Sequence, residues 1–456
     1  MTAGAYIKSL LERKNISISA LAKQMGLKSR STFYRLFEDY YSSEKTIELI
    51  ENISKYIEFT EEEKRDLEAR FETERVGSFY KKTRDILSRC YDEKIEGGYT
   101  VVVDGEEVPL LSLMKRHCGD EAEVFIVNVD DERILGDITE LLEWDEHVKV
   151  YDYIKLRSHR IRTAYELLTL IRLWKYHNYI PILNDSPEHM GLCMVSRHDG
   201  KYFYLSVNSC GERTSFVDTE INEEMYGFII KTNANIRSRG ENLRTDVKKV
   251  SDYIDLLDKD MEFERGGLLH FSEGAPCFGR VPIDTMQDMF EDINYFGFPF
   301  EHPYVQRLIH VFRARDEYEN KTPHERHMLF DKYHIEHMLR TGIAFDHLDA
   351  FRPMNAEQVR GYFERILCNE GAGAKLSFRF IRKNMIRSPF VYNSKGVLYL
   401  YSKGRDGKDS VVFIDKTGMR DIMNDFTKYI WENNTYSDEE SRKMLISMME
   451  ECIDTE

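Results

Sequence analysis

The sequence predicts a multidomain protein: an all-α N-terminal domain followed by a large α/β (α+β) region that reads as two duplicated halves. Three observations predict it. The first 75 residues place apolar side chains at helical spacing, in short runs separated by a glycine and by capping residues. Beyond residue 97, short apolar runs such as EVFIVNV at 123–129 alternate with longer amphipathic stretches, the pattern of strands alternating with helices. Two aromatic hairpin segments, one opening at Gly200 and one at Gly396, share spacing and flanking elements. At 456 residues the chain is also too long for one ordinary core.

The N-terminal elements follow in order. Residues 3–13 form an amphipathic helix with Tyr6, Ile7, Leu10 and Leu11 on its apolar side. Asn15 and Ser17 are N-cap candidates for a second helix that turns Ile18, Leu21, Ala22 and Met25 inward. Ala22 suits a close approach of two helices. Gly26 ends the second helix and Leu27 plugs the turn. A third helix begins near Ser29, with Phe33, Leu36 and Phe37 inward. Its outward residues are Lys28, Ser29, Arg30, Ser31, Thr32, Tyr34 and Arg35. Arginine pairs bidentately with guanine in the major groove, and the hydroxyls hold phosphates or bases. Helices at 44–57 and 60–74 complete the domain, the latter opening on a Thr60/Glu63 capping box.

This arrangement resembles the Cro/C1-type (lambda-repressor-like, XRE) helix-turn-helix family. The resemblance rests on Leu21-Ala22, Gly26-Leu27, Phe33 and Leu36. The interval from Gly26 to Phe33 is one residue longer than the family's usual spacing, which makes 29–35 a window for the groove-reading residues. The resemblance implies a four- or five-helix bundle, a double-stranded DNA operator as partner, and a homodimer matching a twofold operator. A bacterial or phage-type transcriptional regulator is the implied function. The same residues also suit a plain helical bundle used for protein docking.

Charge fits a basic head on an acidic body. The whole chain carries −16, yet residues 1–42 hold seven Lys/Arg against three acids. Residues 43–75 then hold eleven acids against six bases. An acidic body repels phosphate, so non-specific DNA binding should be weak and salt-sensitive.

A linker helix at 76–96 leads out of the head and breaks at Gly97-Gly98. The body divides into halves at 97–285 and 286–456. In the first, strands are expected at 123–129, 148–156 and 179–183, with helices at 132–142 and 163–177. The repeat matches Gly200 with Gly396, Ser206 with Ser402, Gly211 with Gly407, Phe216 with Phe413 and Asp218 with Asp415, through duplication or through coincidence between aromatic hairpins, which are common. Helices follow at 220–230 and 418–431, and helix-then-strand segments precede at 163–183 and 356–381. A cleft between halves is the natural ligand site. Asp218 and Asp415 serve there either as ligand-binding residues or as N-caps of the following helices. Arg265 with Gly266-Gly267, and the run from Gly274 to Arg280, form a glycine-rich loop pair suited to an anionic ligand or to plain turns. Tyr202, Phe203, Tyr204, Tyr399 and Tyr401 give both hairpins an aromatic face, with core packing the default.

Seven of the fourteen histidines lie between His302 and His347. His327, His334 and His337 are expected on one face of a single helix with Glu336 nearby. That face suits Zn²⁺ or Ni²⁺, a proton switch, or a plain polar surface.

No catalytic constellation is expected. The chain lacks GxGxxG after a strand, a Walker A run, a GxSxG elbow, HExxH and structural-zinc spacing. A duplicated α/β body is similar in outline to the phospholipase D superfamily, but the His-x-Lys motif of that superfamily is absent and no catalytic role carries over. Seven scattered cysteines with no CxxC pair fit reduced thiols in a cytoplasm. No apolar run approaches the roughly 20 residues of a membrane span, and no leader is expected. The sequence therefore predicts a cytoplasmic, sequence-specific DNA-binding regulator with a ligand-sensing or dimerising body. No resident cofactor is called for, and an unidentified small-molecule effector would occupy the cleft. The alternatives are an enzyme with a helical regulatory head, or an interaction scaffold.

Overall fold

The structure is a computed structural model describing residues 3–25, 53, 56–57, 59–92, 94–119, 121–129, 131–156, 161–184, 191–210, 213–247, 249, 251–252, 254–255, 258, 269–274, 299–321, 324–344, 353–368, 374–382, 390–393, 397–403 and 409–453. The chain forms a mixed α/β, multidomain protein with two compact units, Met1–Asp85 and Ile86–Glu456.

In the first unit, α1 spans Ala3–Arg13 and α2 spans Ile18–Gln24. Asn15 takes φ 55°, the left-handed conformation that asparagine tolerates, and turns the chain between them. Ser17 stands at the N-cap of α2 with no side-chain capping bond, so neither N-cap candidate caps through its side chain. Helix α3 runs from Glu61 to Leu87, crossing without a break the point where the sequence suggested a separate linker helix. Thr60 and Glu63 form the expected capping box: the Thr60 N–H donates to Glu63 Oε2 at 2.9 Å and the Glu63 N–H to Thr60 Oγ1 at 3.2 Å. Tyr6, Ile7, Leu10, Leu11, Leu21, Ala22, Ile53, Ile57, Phe59 and Leu67 share one buried core. Gly26, Leu27, Phe33, Leu36 and Phe37 lie outside the described residues.

The second unit opens with a short 3-10 turn at Ser88–Tyr91 and a hairpin of β1 (Thr100–Val103) and β2 (Glu106–Pro109). Asp104 at φ 51° and Gly105 at φ 86° make its two-residue turn, as Asp-Gly favours. Helix α4 (Leu110–His117) follows. Then come β3 (Glu123–Val127), α5 (Glu132–Trp144), β4 (Lys149–Ile154), α6 (Ile161–Leu173) and β5 (Tyr179–Leu183). The chain returns through β6 (Leu192–His198), β7 (Lys201–Cys210) and β8 (Arg213–Ile221) to α7 (Glu223–Ser238). Two short strands follow, β9 (Glu241–Asn242) and β10 (Arg244–Val247).

The rest comprises β11 (Leu269–Gly274), α8 (Pro303–Lys321), β12 (His324–Phe330), α9 (Lys332–Thr341), α10 (Ala356–Cys368) and β13 (Ala374–Phe380). It ends with β14 (Phe390–Asn393), β15 (Val397–Lys403), β16 (Asp409–Asp415), α11 (Arg420–Asn433) and α12 (Asp438–Ile453).

The strands build two seven-stranded sheets ordered β8-β7-β6-β3-β4-β5-β9 and β10-β16-β15-β14-β11-β12-β13. Their central six strands follow one plan. Three parallel strands (β3-β4-β5 and β11-β12-β13) are laid outward in sequence, joined by helical crossovers. The chain then returns to the free side of the first strand, pairs with it antiparallel, and continues as a three-stranded meander. The second sheet begins with β10 at Arg244, well before the half-boundary the sequence suggested at 285/286.

Strands β3 and β4 are buried on both faces, as sheets covered by helices require. On one face Phe125, Val127, Tyr151, Tyr153, Cys193 and Val195 pack under Tyr226, Ile229, Ile230 and Ile236 of α7. Val124, Ile126, Val150, Asp152 and Ile154 point to the other face and are buried too. The segment 241–247 links the sheets: β9 pairs with β5, β10 pairs with β16, and the Arg244 guanidinium donates to the Tyr176 carbonyl at 2.8 Å.

Candidate functional site

The groove-reading window, Lys28, Ser29, Arg30, Ser31, Thr32, Tyr34 and Arg35, lies outside the described residues. The scaffold beneath it is described. Leu21 and Ala22 of α2 are fully and almost fully buried against α1. Three polar ties hold α1 to α3: Lys14 Nζ to Glu63 Oε2 at 3.0 Å, Tyr6 Oη to Asp66 Oδ2 at 3.5 Å, and the Arg70 guanidinium 4.7 Å from the centre of the Tyr6 ring. The Thr60 backbone amide and Lys14 hold the half-buried Glu63 carboxyl below its ordinary range.

In the body, Asp218 and Asp415 occupy different places in their hairpins. Asp218 pairs with Leu205, in the interior of β7, whereas Asp415 pairs with Val397, the first residue of β15. Asp218 does not cap the following helix. Asn222 does so, its side chain accepting from the Met225 amide at 2.8 Å. Asp218 instead meets His117 at the end of α4, with Oδ1 2.9 Å from Nε2. The His117 ring stacks on Phe203 at 4.5 Å between ring centres. The pair ties α4 to the outer hairpin and holds the imidazole in one orientation, as a carboxylate does for a histidine base. Asp415 is exposed, and α11 has Met419 at its N-cap. Arg265 and Arg280 lie outside the described residues.

The three histidines do not share a helix. His327 belongs to β12, between β11 and β13, while His334 and His337 lie on α9. The helix starts only after Asp331, which caps it by accepting from the Tyr333 amide at 2.7 Å. A continuous helix through 327 is therefore excluded, because Met328, Leu329 and Phe330 complete a buried parallel strand. The His327 ring lies flat on Trp431, 4.1 Å between centres. No group of three or more His, Cys, Asp or Glu among the described residues is placed to hold a metal ion.

Two other polar features were not anticipated. Asp152, in the middle of β4, is fully enclosed, and Tyr179 Oη donates to its Oδ2 at 2.6 Å. Burial pushes the carboxyl up to about 7, outweighing the hydrogen bond. Beside it the Glu166 carboxylate, also buried, accepts from the Lys155 amide at 3.2 Å. Asp137 on α5 accepts from the Gly98 and Tyr99 amides at 2.7 and 3.1 Å and so docks the 97–99 segment on that helix. One sequence signal marked Asp152, an acid inside the apolar run VKVYDYI. The repeat marked Asp218, but nothing marked His117 as its partner, because the two lie far apart in the chain.

Cys90, Cys118, Cys193, Cys368 and Cys452 form no disulfide among the described residues. Burial pushes Cys118 and Cys193 up to about 12, so neither is a nucleophile near neutrality. No helix among the described residues is long and apolar enough to cross a membrane. No protein-family model, curated protein or solved structure matches this chain.

Proposed function

We propose that the chain is a sequence-specific DNA-binding transcriptional regulator of the Cro/C1-type helix-turn-helix class. The first unit presents a recognition helix within 29–35, and the α/β body joins two copies and receives the signal. The observation that carries this reading is the N-terminal core. Leu21 and Ala22, two of the residues on which the resemblance rests, are buried in a single cluster with α1, Ile53, Ile57 and the start of α3. A helix-turn-helix needs that packing to hold its reading helix outward. The local excess of base over acid in residues 1–42 of an otherwise acidic chain supports it.

The shared order of the central six strands supports a second element of the proposal, that the body arose by duplication of one α/β half. The test of the DNA reading is a binding titration of the full chain on the DNA upstream of its own coding sequence. R30A and R35A should each weaken specific binding by about 1–3 kcal/mol if the arginine reads a base. Unchanged affinity in both variants overturns the groove assignment.

A further inference from the structure

The two sheets differ at both ends: β9 pairs with β5 in the first, and β10 pairs with β16 in the second. In the second, the outer strand of the meander, β16, is covered by β10, which pairs with it antiparallel over Arg244–Val247. In the first, the corresponding outer strand, β8, pairs with β7 alone among the described residues. It is a nine-residue strand with no Pro, and its charged residues are Arg213, Asp218 and Glu220.

The side of this edge is apolar. Cross-strand partners share a sheet face, and Ser206, Tyr204 and Tyr202 pair with Val217, Thr219 and Ile221. Tyr204 packs in the cluster under α7, so Val217, Thr219 and Ile221 lie on the α7 side of the sheet. Val217 is 44% exposed there. On α7 itself Met225 and Phe228, three residues apart on one helical face, are 50% and 65% exposed. Three exposed apolar side chains beside an open strand edge mark an interaction surface.

We infer that β8 is the dimerisation edge of this protein: it pairs antiparallel with β8 of a second copy about a twofold axis through Val217. This deepens the proposed function by naming the surface that joins two DNA-reading heads, and it rests on that reading only for its purpose. Three observations select a second copy as the occupant. The sister edge in the same chain already takes an antiparallel strand of this chain. A twofold pairing requires each residue and its partner to face the same side, which allows only registers centred on a residue. Centred on Val217, the register uses the whole strand. Arg213 faces Ile221, Thr214 faces Glu220, Ser215 faces Thr219 and Phe216 faces Asp218, so no acid opposes an acid. Centring on Asp218 would set that carboxylate against its own copy.

The experiment measures the mass of the full-length protein in solution by light scattering, without DNA. The wild-type chain should give about twice its 53.9 kDa. V217K and V217E each place like charges face to face on the axis and should run at the single-chain mass with an unchanged circular-dichroism spectrum. Mixed in equal amounts, V217K and V217E should recover the double mass, because the two charges then oppose. A wild-type monomer at all concentrations overturns the proposal. So does a V217K chain that remains dimeric, or a folded V217K and V217E pair that fails to associate. Since no DNA is present, loss of the dimer and loss of the DNA reading are separately visible.

Discussion

Replacing Asp152 with asparagine should make the protein more stable at neutral and alkaline pH and leave it nearly unchanged in acid. Asp152 is fully buried in β4, and its carboxyl titrates at about 7 instead of 3.8 because burial disfavours the charged form. Below about pH 4 the group is protonated in both folded and unfolded chains and imposes no pH dependence. Between about pH 4 and 7 the unfolded chain releases the proton while the folded chain keeps it, so stability falls by about 1.4 kcal/mol per pH unit. Above about pH 7 both forms are ionised and the penalty levels off. A shift of roughly three units corresponds to about 4 kcal/mol. D152N is neutral throughout, and its amide oxygen still accepts from Tyr179. The difference in unfolding free energy between D152N and wild type should therefore climb by about 4 kcal/mol between about pH 4 and pH 8. Denaturant titrations followed by the fluorescence of Trp174, buried just beyond α6, read the transition in the right part of the molecule. Titrating groups distant from Asp152 cancel in the difference. A difference that stays flat over that range refutes the reasoning, and with it the claim that the enclosed carboxyl is uncharged in the folded protein below neutrality.

T60A removes one arm of the capping box at the start of α3 and should cost the first unit about 1 kcal/mol, measured as a lowered thermal midpoint of the head. G136A should destabilise the body by about 1–3 kcal/mol despite the better helix propensity of alanine. A Cβ at Gly136 would fall 2.5 Å from the Gly97 nitrogen and 2.6 Å from the Glu96 carbonyl carbon, both backbone atoms that side-chain motion cannot clear. Urea midpoints of wild type and variant decide it, and a more stable variant would show that the 96–99 segment does not lie against α5.

Much of the body was legible because its central strands are buried on both faces. A strand such as Glu123–Val127 or Tyr179–Leu183 then reads as a short unbroken apolar run, and the amphipathic stretch after it reads as the crossover helix. The β1–β2 hairpin went unread although its Asp104-Gly105 turn is a strong local signal. Glu106, Glu107 and Val102 face solvent, so no apolar alternation marks the strands. His327 was misplaced for the opposite reason. The run from His324 to His337 shows helical spacing of its histidines, but Met328, Leu329 and Phe330 belong to a strand between two others, and the cap at Asp331 separates strand from helix. Tertiary pairing overrode the local period. Of the candidate site residues, Lys28–Arg35, Arg265 and Arg280 lie outside the described residues, while Asp218, Asp415, His327, and His334 with His337 fall in four separate elements, β8, β16, β12 and α9.

The aspartate match illustrates what an internal repeat in sequence does and does not establish. The segments that begin after Gly200 and Gly396 in the sequence form two real hairpins, β7–β8 and β15–β16, each the outer part of a meander. The strands beyond those turns differ in length, nine residues in β8 against seven in β16, so positions matched by counting drift apart along the hairpin. Asp218 ends up beside His117 and Asp415 at an exposed strand end. A duplication, as proposed for the body, would preserve the order of strands, because that order decides which faces are buried and a change there would expose the core. It would not preserve edges or site residues, which cost little to alter. The two sheets differ at their outer strands: β16 pairs with the chain's own β10, and β8 pairs with β7 alone among the described residues. Two sheets with the same order of six strands thus present different edges, one paired within the chain and the other, under the proposed pairing, taken by a second copy.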